Sequence, residues 1–92
     1  MTVGGVLTPA PVDLTERHAL IEGEVYQLQN LGPATAHLSE QPSGAAPDVA
    51  TTPAHRVPSG AALLLEPAAG KGVWAWTAGG DPFTEYALTE AT

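Results

Sequence analysis

Along residues 24–40 the side chains alternate in character with a period of two. Tyr26, Leu28 and Asn30 fall on one side of an extended chain and Val25, Gln27 and Gln29 on the other; Ala34, Ala36 and Leu38 then face inward while Thr35, His37 and Ser39 face outward. This pattern predicts strands over 24–31 and 34–40, with Gly32-Pro33 as the break between them. A strand over 13–21, closed by the turn Glu22-Gly23, would make a first hairpin with 24–31. The apolar run 61–65 follows the turn residues Pro58-Ser59-Gly60, a second turn covers 67–72, and strands are predicted over 73–78 and 83–89. Six or seven short strands separated by turn signals predict an all-β fold, a small antiparallel sandwich or barrel.

Two segments stand outside this pattern. Residues 1–12 carry Gly4, Gly5, Pro9 and Pro11, which exclude a helix, and read as an extended N-terminal arm. Its Val3, Val6 and Leu7 are candidate contact points on a neighbouring subunit. Residues 41–53 are rich in Pro, Gly, Ala, Ser and Thr and predict a long surface loop. The organisation is thus an arm over 1–12 followed by a single β-domain over 13–92.

The run GVWAWTAGG over 72–80 puts Trp74 and Trp76 on the same face of one strand. With one Phe and two Tyr elsewhere, these indoles hold much of the large apolar surface of the chain. Burying them, at about 25 cal/mol per Å² of apolar area, contributes several times what an Ala or Val can. The predicted place for them is therefore the core or an interface with a subunit or capsid. The competing reading is a sugar-binding platform in a carbohydrate-binding β-module, with Gln27, Gln29 or Asn30 as polar partners.

Composition narrows the classes of function. Ten acidic residues against three basic ones give a net charge of −7, and Arg17, Arg56 and Lys71 are too scattered to neutralise a phosphate backbone. Direct nucleic-acid binding is not expected. No apolar run reaches the length of a membrane span, and MTVGGVLTPAPVD lacks the regions of a secretory signal, so no membrane partner is expected and the chain reads as made in the cytoplasm. A chain of 92 residues without cysteine has neither disulfides nor thiolate metal ligands to reinforce a small core, which leaves oligomerisation as the route to added stability.

Little in the sequence suggests catalysis. His18, His37 and His55 lie in different predicted elements without the spacing of a metal site, and no metal or other cofactor is expected. Glu22 and Glu24 flank a turn, Glu85 and Glu90 lie on the last strand and tail, and neither pair predicts two carboxylates facing across a desolvated cleft. Ser39, Ser43 and Ser59 lack the strand-to-helix elbow of a serine nucleophile. The expectation is a protein that is not an enzyme.

Taken in order, EVYQLQNLGPATAHLSE, a Pro-rich loop, HRVPSGAALLLEP and GVWAWTAGGDPFTEYALTEA resemble small structural proteins of tailed bacteriophages and prophages. The shared features are a strand ending in Gln-Asn, a short Leu-x-Glu strand, a Pro-Gly step before an apolar strand and an aromatic Trp-Ala strand near the end. The resemblance spans residues 24–91 and rests on packing and turn features. It implies a virion component, foremost a capsid decoration or cement protein that stabilises the phage head as a homo-oligomer, with a trimer favoured, bound to the major capsid protein or other virion proteins. A head-to-tail connector or tail component is the alternative within the virion.

Overall fold

The computed structural model describes residues 2–42, 44–78 and 83–91. Among these residues eight strands form two four-stranded antiparallel sheets packed as a sandwich, with one short helix. In chain order they are β1 (Thr2–Leu7), β2 (Val12–Asp13), α1 (Leu14–His18), β3 (Tyr26–Asn30), β4 (Ala36–Pro42), β5 (His55–Val57), β6 (Ala62–Leu65), β7 (Lys71–Thr77) and β8 (Thr84–Glu90). The first sheet has the order β1-β8-β3-β6 and the second β2-β7-β4-β5. Pairing 1 with 8, 2 with 7, 3 with 6 and 4 with 5 is the order of one long antiparallel ribbon wrapped into two layers, the eight-stranded jelly roll.

The core lies between the sheets and follows the alternation read from the sequence. Leu7, Tyr26, Leu28, Tyr86 and Leu88 enter it from the first sheet, and Ala36, Leu38, Val57, Val73 and Ala75 from the second. The β3 side chains Tyr26, Leu28 and Asn30 are buried, while Gln27 and Gln29 between them are exposed. At the same time Ala36 and Leu38 point inward from β4, as expected.

Several expectations are corrected. Residues 2–7 are extended, but they do not project as an arm toward a neighbour: β1 is in register with β8 from Thr2↔Thr89 to Leu7↔Thr84. Gly5 also makes room for the neighbouring strand, since a Cβ on it would lie 2.8 Å from the Tyr86 hydroxyl. Leu7 is fully buried in the chain's own core, and Val3 packs against that core. Of the three proposed arm contacts, Val6 is the one left exposed.

The predicted strand over 13–21 is also replaced, by the two residues of β2 and by α1. The Asp13 carboxylate accepts the Glu16 N–H at 3.2 Å and so caps the helix, and Ala19 ends it in the left-handed region at φ 51°. No hairpin joins 13–21 to 24–31, because β2 pairs with β7 while β3 pairs with β6 and β8. Finally, β5 lies in a stretch where the alternation predicts no strand. It is three residues long with a single inward side chain, Val57, opposite Ala36.

Segment 12–21 clasps the two layers together. On the second sheet, Val73 N–H donates to Thr15 Oγ1 at 3.1 Å. On the first, the buried Tyr26 hydroxyl accepts the Ile21 N–H at 2.8 Å, and His18 Nε2 shares a 2.7 Å hydrogen bond with the buried Tyr86 hydroxyl.

A second tie runs through Asn30, which has no exposed surface. Its Nδ2 donates to the carbonyls of Ala34 at 2.7 Å and Val57 at 2.8 Å, while its Oδ1 accepts from Gly32 N–H at 3.1 Å and Thr84 Oγ1 at 2.6 Å. The side chain thereby uses both donor hydrogens and both acceptor lone pairs. Replacing it removes all four of these hydrogen bonds from a buried site. Asn30→Ala is expected to lower unfolding stability by about 3 kcal/mol or more, measured by chemical denaturation. Asn30→Asp keeps the shape but turns an oxygen toward the two carbonyls, so it should be no better tolerated at neutral pH.

Candidate functional site

Alternation along β7 decides where the tryptophans go. Val73 and Ala75 face the core, so Trp74 and Trp76 lie on the outer face of the second sheet, together with Gly72. They share a face, as the sequence indicates, but it is not the one between the layers. Their cross-strand neighbours on β4 are Ser39 beside Trp74 and His37 beside Trp76. The His37 imidazole stacks on the Trp76 indole, with centroids 6.1 Å apart and planes 12° from parallel.

Trp76 is nevertheless only 3% exposed. What covers it is the long loop predicted from composition. In that segment Pro47 is buried, and Asp48 organises a turn in which its carboxylate accepts from Ala50 N–H at 3.1 Å and its carbonyl from Thr51 and Thr52 N–H. Val49, Thr52 and Pro53, with Pro9 from the β1–β2 connection, line a cleft of about 360 Å³ over His37, Arg56 and Trp76. Arg56 enters through the β4–β5 register, which sets it beside His37. Nothing in local spacing brings these residues together, because 18 positions separate them along the chain and the loop lies between.

Trp74 sits differently. It is half-buried, with its Nε1 enclosed and without a hydrogen-bond partner among the described residues. Next to it, Asp13 occupies the space a side chain at Gly72 would need: a Cβ there would stand 2.8 Å from Asp13 Oδ1. Thus Gly72 is what lets the capping carboxylate lie over β7. The Gly79-Gly80 end of the tryptophan run, and Ser43, lie outside the described residues.

The remaining candidates do not converge. Gln27 and Gln29 face outward from the first sheet, on the opposite side of the sandwich from the tryptophans, and Asn30 is enclosed in the network above. His18 meets Tyr86, His37 meets Trp76, and His55 is exposed at the start of β5. Among the described residues no group of three or more His, Cys, Asp or Glu is placed to hold a metal ion. Glu22, Glu24, Glu85 and Glu90 are all exposed, and Ser39 accepts a 2.8 Å hydrogen bond from Gln41 Nε2.

The outer face of the first sheet is the counterpart to the covered tryptophan face. Registers of β1, β8, β3 and β6 bring Val6, Ala87, Gln29, Gln27, Thr89 and Leu64 onto it, all but Ala87 exposed, and Glu85 is its charged group among these strands. For a chain of net charge −7 this is a broad, nearly uncharged surface.

No family model, no curated protein and no solved structure matches this chain.

Trp76→Ala should cost about 3 kcal/mol and open the 44–54 loop to limited proteolysis, whereas Trp74→Phe, which removes an unpaired buried N–H, should stay within about 1 kcal/mol of the native chain in denaturant titrations. His18 is held below its ordinary pKa of 6.5 by burial and by the neighbouring Arg17. The unfolded chain then takes up a proton more readily than the folded one. Stability is accordingly full above about pH 6.5 and falls as pH drops through the lowered folded value, and His18→Gln should flatten that slope in thermal melts.

Proposed function

We propose that this chain is a non-enzymatic structural protein of a phage virion, foremost a capsid decoration or cement protein. The observation that carries this reading is the strand order β1-β8-β3-β6 over β2-β7-β4-β5. It is a jelly roll, an architecture used repeatedly by capsid domains, and it agrees with what the strand and turn motifs of residues 24–91 imply. The two outer faces support it in different ways. The second sheet is capped by its own loop, while the first presents uncharged side chains suited to lying against another protein, here the major capsid protein.

A sugar platform needs an open indole face. Trp76 is enclosed, and the glutamines proposed as its partners are on the other sheet. The acidic surface meanwhile disfavours adhesion to packaged or passing DNA.

The test is to locate the chain in purified particles of the phage or prophage that encodes it, by mass spectrometry and by labelling with an antibody in electron microscopy. Many copies spread over the head are expected. Label confined to one vertex would assign it to the connector or tail instead, and absence from particles would overturn the virion reading.

A further inference from the structure

A sandwich built from two four-stranded sheets has four edge strands, and three of them are protected here. β2 has two residues and follows Pro9 and Pro11; β5 has three, carries Arg56 and lies between Pro53 and Pro58; β6 has four and runs into Glu66-Pro67. Short length, charge and proline are the devices that keep edges from pairing. β1, TVGGVL, has none of them: six residues, uncharged, without proline.

The hydrogen-bond polarity of that edge is fixed by its neighbours. Leu31 N–H donates to the Glu85 carbonyl and Ala91 N–H to the Val25 carbonyl, so the odd-numbered residues of this last strand bond toward β3. Its even-numbered residues, Thr84, Tyr86 and Leu88, therefore bond toward β1, where they oppose Leu7, Gly5 and Val3. Thr2, Gly4 and Val6 are left with their N–H and C=O groups directed away from the sheet. Thr8, next in that series, already gives its carbonyl to Thr77 N–H at 2.9 Å, which bounds the free edge.

We propose that this edge pairs antiparallel with β1 of a second copy across a two-fold axis at Gly4. In an antiparallel pair opposed side chains share a face, so a two-fold that keeps both cores on one side must pass through a residue opposite itself. Centring on Gly4 sets Gly4 against Gly4, Thr2 against Val6 and Val6 against Thr2. All three free residues are then used, in about six main-chain hydrogen bonds. The two first sheets merge into one, with order β6-β3-β8-β1 continued by β1-β8-β3-β6 of the second copy. Two chains of charge −7 repel each other, and an uncharged edge is where they can meet. Raising the salt concentration should strengthen the association, the reverse of an interface made of ion pairs.

The contact is small beside the roughly 1,600 Å² of a standard interface, so the dimer is concentration-dependent. The pairing is read from the edge alone and stands apart from the virion assignment; its symmetry is two-fold, where a decoration role led to the expectation of a trimer.

Cysteine cross-linking tests the register directly, because the chain has no cysteine of its own. In the proposed pair the Cα atoms of residue 2 and residue 6 of the other copy are about 5.5 Å apart, within reach of a disulfide, whereas within one strand the same positions are about 13 Å apart. The double variant Thr2→Cys, Val6→Cys should form a covalent dimer on mild oxidation, and each single variant should form at least tenfold less. Sedimentation equilibrium between roughly 10 µM and 1 mM should show the 9.4 kDa chain moving toward twice its mass, and Val6→Pro, which removes an edge donor not bonded to β8, should abolish the shift. Thr2→Pro serves the same purpose should Val6→Pro fail to fold by circular dichroism. A double variant that cross-links no better than the singles, a native chain that stays monomeric over this range, or a folded proline variant that associates like the native chain would overturn the proposal.

Discussion

The buried amide of Asn30 is the interaction on which the rest of this sandwich depends. It stands at the end of β3, where the chain leaves the first sheet for the second, and its four hydrogen bonds reach the following turn at Ala34, β5 at Val57 and β8 at Thr84. Hydrophobic burial draws the layers together but is indifferent to their offset, whereas an amide with every site occupied admits one offset only. The adjoining turn is equally constrained, since a Cβ on Gly32 would run into Thr84 and the Glu85 amide. In a chain of this size, with few large apolar residues between the sheets, such directional bonds decide which of several loose packings is the native one.

The aromatic residues divide by chemistry. Both tyrosines are interior, with rings between the sheets and hydroxyls aimed at the 12–21 clasp, where one meets His18 and the other Ile21 N–H. Both tryptophans are outside the layers, one of them sealed by a loop with too little apolar bulk to be a core element itself. Trp76 thus gives the long loop something to fold on, and Asp48 gives that loop its own turn. The result is a second, smaller apolar contact on the back of the second sheet, independent of the main core.

Which parts of this were legible in the sequence follows from what a period of two can and cannot say. Alternation assigns Tyr26, Leu28 and Asn30 to one side and Gln27 and Gln29 to the other, and it places Trp74 with Trp76; all of this holds in the structure. Alternation does not say which side is the core. For β3 the hydrophobic contrast settles that, but β7 is apolar on both faces, and the bulk of the indoles does not by itself say whether they lie between the layers or on the outer face. The small residues Val73 and Ala75 face inward because Leu7, Tyr26 and Leu28 on other strands already fill the space between the layers. That Gly4 and Gly5 make room for Tyr86 is not legible locally, because it depends on a strand some 80 residues away. Asp13 and Glu16, three apart, form a helix-start signal that the expectation of a strand over 13–21 leaves out. The candidate site was less legible still: His37 and Trp76 meet only through strand register.

The sandwich is therefore asymmetric in a way that bears on what it does. Sealing the outer face of the second sheet with residues 44–54 and 8–10 consumes the apolar surface there, and the charged side chains are kept largely off the strands of the first sheet, whose outer face is left bare. Three of the four edges are short or broken by proline, and the fourth, β1, lies on this same first sheet. Face and edge are contiguous, so growth of the first sheet through β1 would enlarge the uncharged surface rather than hide it. A chain selected only to remain monomeric gains nothing from that combination, since an open edge is a hazard for aggregation. It is consistent with a subunit whose acidic remainder repels chance partners while one sheet, face and edge, is kept for specific ones.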